Sequence, residues 1–444
     1  MTIDAQPVVA KLQPFLDGRP LWLAYSGGLD STVLAHLLAS HHSALPLQLI
    51  HINHQLHADS AQWAAHCRQF AETLNLPVTV LNVTVDLTAG LGLEAAARQA
   101  RYQAIAEHIG EKGVLLTGQH QQDQAETLML QLLRGAGNRG LSGMALQSAW
   151  QTMTILRPLL NIDRPALAKY AGKYKLPYLN DPSNDDINIQ RNYLRNQIWP
   201  LLIKRWPALN QTLSRSAAHL SEAQSLLDEF AETDLYTIEA DLDSGTLNCT
   251  ALLRLSAARQ RNVLRYFLHQ LQMPLPSTAV LQRIIDEVCA AQQDAQPRVQ
   301  WSGLEARRFA GCLFVQPTLP AMAADWQQWL DKPETLLLPD GRQLVWRQTE
   351  SGGFAASLIK QGLTVRFRRG GEKIQLAGHQ QHHDLKNCLQ QWQVPPWQRA
   401  RIPLLFQDSE LLAVTGYAVS EKALADTGEQ GWWPYVSNSE ATDF

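Results

Sequence analysis

The chain has 444 residues, 45% of them hydrophobic, which is long enough for two or three cores rather than one. A net charge of −3 excludes a global basic field, so any binding of nucleic acid must use local patches. Five scattered cysteines (Cys67, Cys249, Cys289, Cys312 and Cys388) form no CxxC pair; they argue against a disulfide framework, a zinc ribbon or a redox dithiol and read as small buried hydrophobes.

The first residues, MTIDAQPVVAKLQPFL, lack a charged segment ahead of a long apolar run, and no stretch approaches a membrane span. A soluble cytoplasmic protein is the expectation. Leu21 to Tyr25 is a short apolar run, read as a buried strand, and Val33, Leu34, Leu37 and Leu38 then recur at helix spacing. Strands are predicted at 47–52, 78–83 and 114–117, and helices over 59–74, 94–109 and 122–133. This order predicts an α/β fold, a Rossmann-like parallel sheet with helices on both faces.

Beyond residue 200 the pattern turns helical, with helices over 208–238, 251–272 and 280–288 and a hairpin from 299–301 and 312–315. Four prolines within 316–340 suggest a linker with a short helix. From about 342 strand candidates return at 344–346, 363–367 and 411–415, a small α+β domain. The boundaries follow as 1–205, a mainly helical 206–340, and 341–444.

Between the first strand and the first helix lies Ser26-Gly27-Gly28-Leu29-Asp30-Ser31. A loop in that position aims backbone N–H groups and a helix N-terminus at an anion, and two glycines let the backbone come close. Asp30 fits beside phosphates only as a cation ligand or an orienting group. No lysine follows the glycines, so this is not the loop of γ-phosphate transfer. The plain alternative is an ordinary helix start.

The SGGxDS sequence resembles the pyrophosphate loop of the N-type ATP pyrophosphatases, which activate a carbonyl oxygen with AMP. Three further segments resemble the tRNA(Ile)-lysidine synthase family: EAAARQARY at 94–102, GQHQQDQAETLMLQLLRGAGNRGLSGM at 118–144, and Arg157-Pro-Leu-Leu with DPSNDDINIQRNYLR at 181–195. Together they cover about the first 200 residues, and a weaker likeness continues at 363–416. The chain departs from the family pattern at Gln122, where an aspartate is usual, and at Gln55 and His57, in the stretch where many members read Gly-Leu-Arg.

The resemblance implies ATP and Mg²⁺ as co-substrate and cofactor, free L-lysine as second substrate, and the tRNA(Ile) with a CAU anticodon as acceptor; it leaves a homodimer open. Ser26 to Ser31, with His120, would hold the nucleotide, and Asp30 and Asp123 the metal. Asp30, Arg98, Arg101 and Asp123 would be catalytic. Arg98 and Arg101, three apart, share a helix face and could grip a phosphate or a base carbonyl; a solvated pair is the alternative. Asp123 and Glu126 share the start of the next helix and suit Mg²⁺ or an amine, or simply the helix dipole. Arg191 and Arg195, four apart, again face together. Glu126, Arg191 and Arg195, with Arg366, Arg368 and Arg369, are the candidates for tRNA or substrate contact. Arg254, Arg259, Arg261 and Arg265, and Arg399 and Arg401 beside Trp397, could also follow a phosphate backbone, although a solvated helix face explains the first set equally well. His51, His54 and His57 lie on a strand-to-loop run with no fourth ligand, and 378–383 reads as a polar loop, before either reads as a metal site. Two rivals stay open: a tRNA thiolase on the same scaffold, for which Cys67 is the one N-domain cysteine, and a non-catalytic tRNA-binding protein with a decayed ATP site.

Overall fold

The computed structural model describes residues 3–437 except 42–44, 56–58, 85–92, 112, 293–294, 324, 350–351 and 427–428, and omits the side chains of 93–95. His57 and the Glu94 side chain therefore lie outside the described residues. The chain divides into two compact units, Met1–Glu229 and Phe230–Phe444.

In the first unit, strands β1 (Leu21–Ala24), β2 (Leu47–Asn53), β3 (Val78–Asn82) and β4 (Val114–Leu116) alternate with helices α1 (Leu29–His41), α2 (Ser60–Thr73), α3 (Leu93–Ile109) and α4 (Gln121–Leu133). They lie within one to two residues of the predicted spans. A hairpin, β5 (Gln147–Trp150) and β6 (Met153–Leu156), completes a sheet in the order β3-β2-β1-β4-β6-β5. All pairings are parallel except β5 with β6. Strand order reverses outward from β1, so the loops after β1 and β4 open at the carboxyl edge where α/β sheets bind ligands. Helix α1 buries Val33, Leu34, Ala35, Leu37 and Leu38, which explains its apolar content all round.

After helix α5 (Arg164–Tyr174), the segments Gln190–Tyr193, Leu194–Ile198 and Trp199–Arg205 run on as one helix, α6, whose middle turn is π-helical. Leu194 and Trp199 of α6 pack on Ala125 of α4, with Met129, Leu130, Ile198 and Leu202 around them. Trp199 is 1% exposed and its indole N–H donates to Asn210 at 2.9 Å; truncation to alanine costs about 3–5 kcal/mol. This apolar seam holds the polar edge of α6 against the start of α4.

The division between the units falls inside helix α7 (Leu209–Thr237). The second unit opens with β7 (Thr246–Asn248), α8 (Cys249–Arg254), α9 (Ala257–Gln270) and α10 (Thr278–Arg283, continuing as a π-helix through Cys289). The predicted helix over 251–272 is thus two helices, because Ser256 is extended and starts a new one. The predicted hairpin is a larger sheet, β7-β10-β9-β8, from β8 (Arg298–Trp301), β9 (Leu304–Phe309) and β10 (Cys312–Pro317). No short helix occurs among the described residues of 316–340. Instead β11 (Gln327–Leu330) and β12 (Leu336–Leu337) are strands, and β11 pairs with β13 (Leu363–Arg366), so the last domain's sheet begins ahead of residue 341. In this last region β13 continues through β14 (Leu404–Gln407) and β15 (Glu410–Val414). All five cysteines are free thiols, four of them buried.

Candidate active site

The Ser26–Ser31 loop turns from β1 into α1. Gly27 has φ +78°, and a Cβ there would meet Cys67 Sγ and Leu179 Cδ1 at 3.0 Å, so only glycine fits. The loop is braced internally: Ser26 Oγ and Ser31 Oγ are 3.1 Å apart, Ser31 Oγ donates to Gly28 O at 3.1 Å, and Gly28 N–H donates to Ser26 Oγ at 3.3 Å. Leu179 N–H donates to Gly27 O at 2.9 Å from outside the loop. Gly118, just after β4, approaches so closely that a Cβ would lie 3.1 Å from Ser31 N and 3.2 Å from Asp30 C. The sequence reading passed over Gly118, although its place at the sheet's carboxyl edge was the available signal.

This approach brings the start of α4 to Asp30. His120 caps α4: its Nδ1 accepts the Gln122 N–H at 3.2 Å, and Asp123 Oδ2 accepts the His120 N–H at 3.1 Å, a reciprocal capping box. The buried His120 ring places Nε2 3.4 Å from Asp123 Oδ2 and 3.6 Å from Asp30 Oδ2. Asp30 Oδ1 is buried without a hydrogen-bond partner. Burial raises the Asp30 pKa; His120 and Arg195 pull it down, and the Asp123 charge pushes it up again. An orphan carboxylate oxygen of this kind fits a cation.

Glu126, 0% exposed, accepts from Arg195 Nε and NH2, both at 2.7 Å, while Arg195 NH2 also donates to Asp123 Oδ1 at 2.8 Å. Burial opposes the Arg195 charge, but hydrogen bonds and charge from Glu126, with Asp123 and Asp30, outweigh it and raise its pKa. Arg195 sits in the π-helical turn of α6, a distortion found often at functional sites. Arg191 Nε lies 3.9 Å from Glu126 and its NH2 donates to Thr127 Oγ1 at 2.8 Å. Gln122 donates to Glu126 Oε1 at 2.9 Å. A third acid at 122 would crowd two carboxylates, whereas the amide supplies a donor. Arg164, missed because it looks like an ordinary helix start after Asp163, lies within electrostatic reach of Asp30.

Arg98 and Arg101 are both exposed on α3, but their recorded neighbours differ. Arg98 lies over the Tyr102 ring at 5.1 Å, and Arg101 acts electrostatically on His51 and His54. Both ring nitrogens of His54 are buried without partners, and burial, then Arg101 and His51, pull its pKa down to about 4. The Cys67 thiol is buried 3.4 Å from His51 Nδ1, and burial pushes its pKa up to about 12. Among the described residues, no group of three or more His, Cys, Asp or Glu side chains is placed to hold a metal; His51 is buried on β2, and the run expected to be a polar loop at 378–383 instead enters a short strand, His382–Asp384.

In the last region, Arg366 lies 3.8 Å above the Phe406 ring and 3.5 Å from Glu372; Arg368 is also 3.5 Å from Glu372, and Arg369 NH2 donates to Gln327 at 3.3 Å. Arg401 and Arg259 are both ion-paired, but only Arg401 is buried. Arg401 is 7% exposed and bonded to Asp340 at 2.9 Å and to Pro320 O, and Arg259 forks onto buried Asp234.

A parallel sheet whose first βα loop is a braced SGGLDS turn, facing an Asp–His–Asp–Arg cluster, defines an ATP-using PP-loop domain. The PP-loop family model matches residues 2–202, the TilS substrate binding domain 247–314, and the TilS substrate C-terminal domain 363–437. The chain is 40% identical over 413 residues to the tRNA(Ile)-lysidine synthase of Coxiella burnetii, covering 92% of this chain and 91% of that one. It is 43% identical over 422 residues to that of Pseudomonas fluorescens (92% and 91% covered) and 39% identical over 418 residues to that of Serratia proteamaculans (93% and 94%). The chain belongs to the tRNA(Ile)-lysidine synthase family, whose members are ATP-dependent ligases that form a carbon–nitrogen bond on tRNA.

Proposed function

We propose that the protein joins free L-lysine to C2 of the wobble cytidine of the tRNA(Ile) with a CAU anticodon, changing codon recognition from AUG to AUA. The observation that carries this reading is the Ser26–Ser31 loop at the start of α1, set against the Asp30–His120–Asp123–Arg195 cluster. The loop amides and α1 would hold the pyrophosphate portion of ATP. The orphan Oδ1 of Asp30 would ligate Mg²⁺, an ion content with one or two carboxylates plus phosphate oxygens, which supplies charge neutralisation when bound. Both Asp123 oxygens are engaged, by Arg195 and by the His120 N–H. Asp123, 14% exposed against 0% for Glu126, is the more accessible of the two acids and would contact either Mg²⁺ or the lysine ammonium. Glu126 fixes Arg195, and Arg98 and Arg101 would face the base or its phosphates.

The cytidine O2 attacks the α-phosphorus and pyrophosphate leaves; the lysine ε-amine then attacks C2, and AMP departs with that oxygen. Positioning and fixed charge supply most of the rate. A thiolase is disfavoured because Cys67 is buried and held as a thiol, and a decayed site because the loop is intact. The catalytic domain (1–205), the middle domain and the C-terminal domain are read as separate contributors, the last two holding tRNA. The enzyme is read as cytoplasmic; no helix among the described residues is long and apolar enough to cross a membrane.

The test uses tRNA carrying ¹⁸O at C2 of the wobble cytidine, with ATP and lysine. AMP should gain one ¹⁸O and the tRNA one lysine. A thiolase would label AMP but add sulfur, and only with a donor present; a retired binder would make no AMP. Unlabelled AMP beside lysine-modified tRNA would place activation on another atom and overturn the mechanism.

A further inference from the structure

The loop from Arg366 to Glu372 holds three arginines in four positions, an arrangement that self-repulsion should splay. It does not splay, because a carboxylate sits at its centre. The Glu372 side chain is 4% exposed. Its Oε1 accepts the Arg369 N–H at 2.6 Å and the Gly370 N–H at 3.0 Å, and Oε2 accepts the Gly370 N–H at 3.0 Å. Gly370 and Gly371, at φ +102° and +81°, allow the chain to curl so that consecutive amides meet one acid. Burial pushes the Glu372 pKa up, but the amide donors and Arg366 outweigh it and hold it below the usual range, so the acid stays charged.

The cations are left in an unusual state. Arg366 is fixed from two sides, by the Phe406 ring and by Glu372. Arg368 Nε is buried, and its 3.5 Å approach to Glu372 leaves that N–H without a hydrogen bond. Arg399, tied by its Nε to Val394 O at 2.8 Å, is disfavoured as a cation by burial and then by the charge of Arg368. Two guanidiniums that repel, one with a buried unmade bond, are a site short of an anion. Four arginines against one glutamate leave a local charge of +3 in a chain whose net charge is −3.

We propose that Glu372 is a positioning residue for RNA: it fixes Arg366 and the 369–370 backbone so that Arg368, Arg369 and Arg399 form a seat for one backbone phosphate. This rests on the reading that the C-terminal domain holds tRNA. An acid inside a phosphate-binding loop costs attraction, and what it supplies is a preformed seat that needs no ordering when the RNA arrives.

The experiment measures tRNA binding to the full-length protein across a salt series, with steady-state kinetics alongside. Glu372→Gln should weaken binding about threefold or more and lower the log–log salt slope by about one. KM for tRNA should rise while kcat at saturating tRNA holds, and Glu372→Asp should recover part of the loss. Arg368→Gln with Arg399→Gln should lower the slope equally, and adding Glu372→Gln to that pair should lower it no further. Tighter binding or a steeper slope in Glu372→Gln would make the acid a mere neutraliser and overturn the proposal. So would an unchanged Glu372→Gln beside a weakened arginine pair. If Glu372→Gln does not fold, the arginine pair still decides, because its unchanged slope removes the seat. Inorganic phosphate at constant ionic strength should not compete; competition would mean the seat takes a free anion instead. Wild-type tRNA binding after replacing Arg366, Arg368, Arg369 and Arg399 together would instead sink the tRNA reading of the whole domain.

Discussion

Glu126 and Glu372, two of the buried glutamates that gather arginines in this protein, differ in where those arginines come from. Glu126 takes its partner from 69 residues away, through the packing of α6 on α4. Glu372 takes Arg366 and Arg368 from within six residues, and two amides from its own turn. The first arrangement exists only when the tertiary core has formed, so it couples the integrity of the fold to the geometry beside Asp30. The second is local and orders a surface loop. Around Glu126, Arg195 and Arg191 are matched by two acids, Glu126 and Asp123, whereas Glu372 is outnumbered by its arginines and leaves cationic capacity for a ligand.

That difference can be broken experimentally, and the largest effect belongs to the catalytic side. Asp30→Ala should lower AMP formation by at least about 100-fold while leaving the circular dichroism spectrum and tRNA affinity near wild type. Wild-type turnover in the purified variant would remove the loop from the reaction. Next comes the long-range pair. Arg195→Gln leaves the Glu126 charge buried and should destabilise the first unit by about 3–5 kcal/mol. Glu126→Gln with Arg195→Gln should cost clearly less than the sum of the single changes, read from urea midpoints in a double-mutant cycle. Additivity would show the two to be independent.

Acid should find the first unit next. The His54 pKa of about 4 lies below its ordinary 6.5, so the unfolded chain takes the proton first as pH falls. Stability should therefore be full above about pH 6.5 and decline toward pH 4, with His51, also pulled down by burial, adding to the decline. His54→Gln should flatten that decline, measured as the change in urea midpoint between pH 7 and pH 5; an equal decline would assign it elsewhere. The smallest effect belongs to the local loop. Arg369→Gln keeps the backbone N–H on Glu372 and should shift stability by less than about 0.5 kcal/mol. A large loss would mean that its side-chain bond to Gln327 holds β11 in place.

The same contrast decides what could be read in advance. The alternation of β1 to β4 with α1 to α4 was legible because each element carries its own period, and the braced loop because its six residues are contiguous. Asp30, His120 and Asp123 could be named as candidates, but their meeting depends on the close approach of Gly118, marked in the sequence only by its place just after the fourth strand. Arg195 was visible as a residue and invisible as the partner of Glu126, since only the Trp199–Ala125 seam brings them together. Arg401 looked like a surface cation because the acid that holds it, Asp340, is distant in sequence; Arg259 does stay half exposed, and only its pairing with Asp234 was hidden. Strand β11 was hidden among prolines and found its register only on β13.

One consequence of the capping at α4 concerns where a proton can reside. The Gln122 amide occupies the lone pair of His120 Nδ1, so the single hydrogen of a neutral ring must be on Nε2, the nitrogen turned to Asp30 and Asp123. The backbone thereby selects the tautomer. If the first turn of α4 unwound, the ring could exchange tautomers and present a lone pair to two carboxylates, reversing the sign of that contact. Asparagine at 120 could still cap the helix, but its shorter side chain cannot place a donor where Nε2 stands. The first hydrogen bond of one helix thus acts as a prototropic lock on the neighbouring strand's loop, holding a donor in place before any nucleotide arrives.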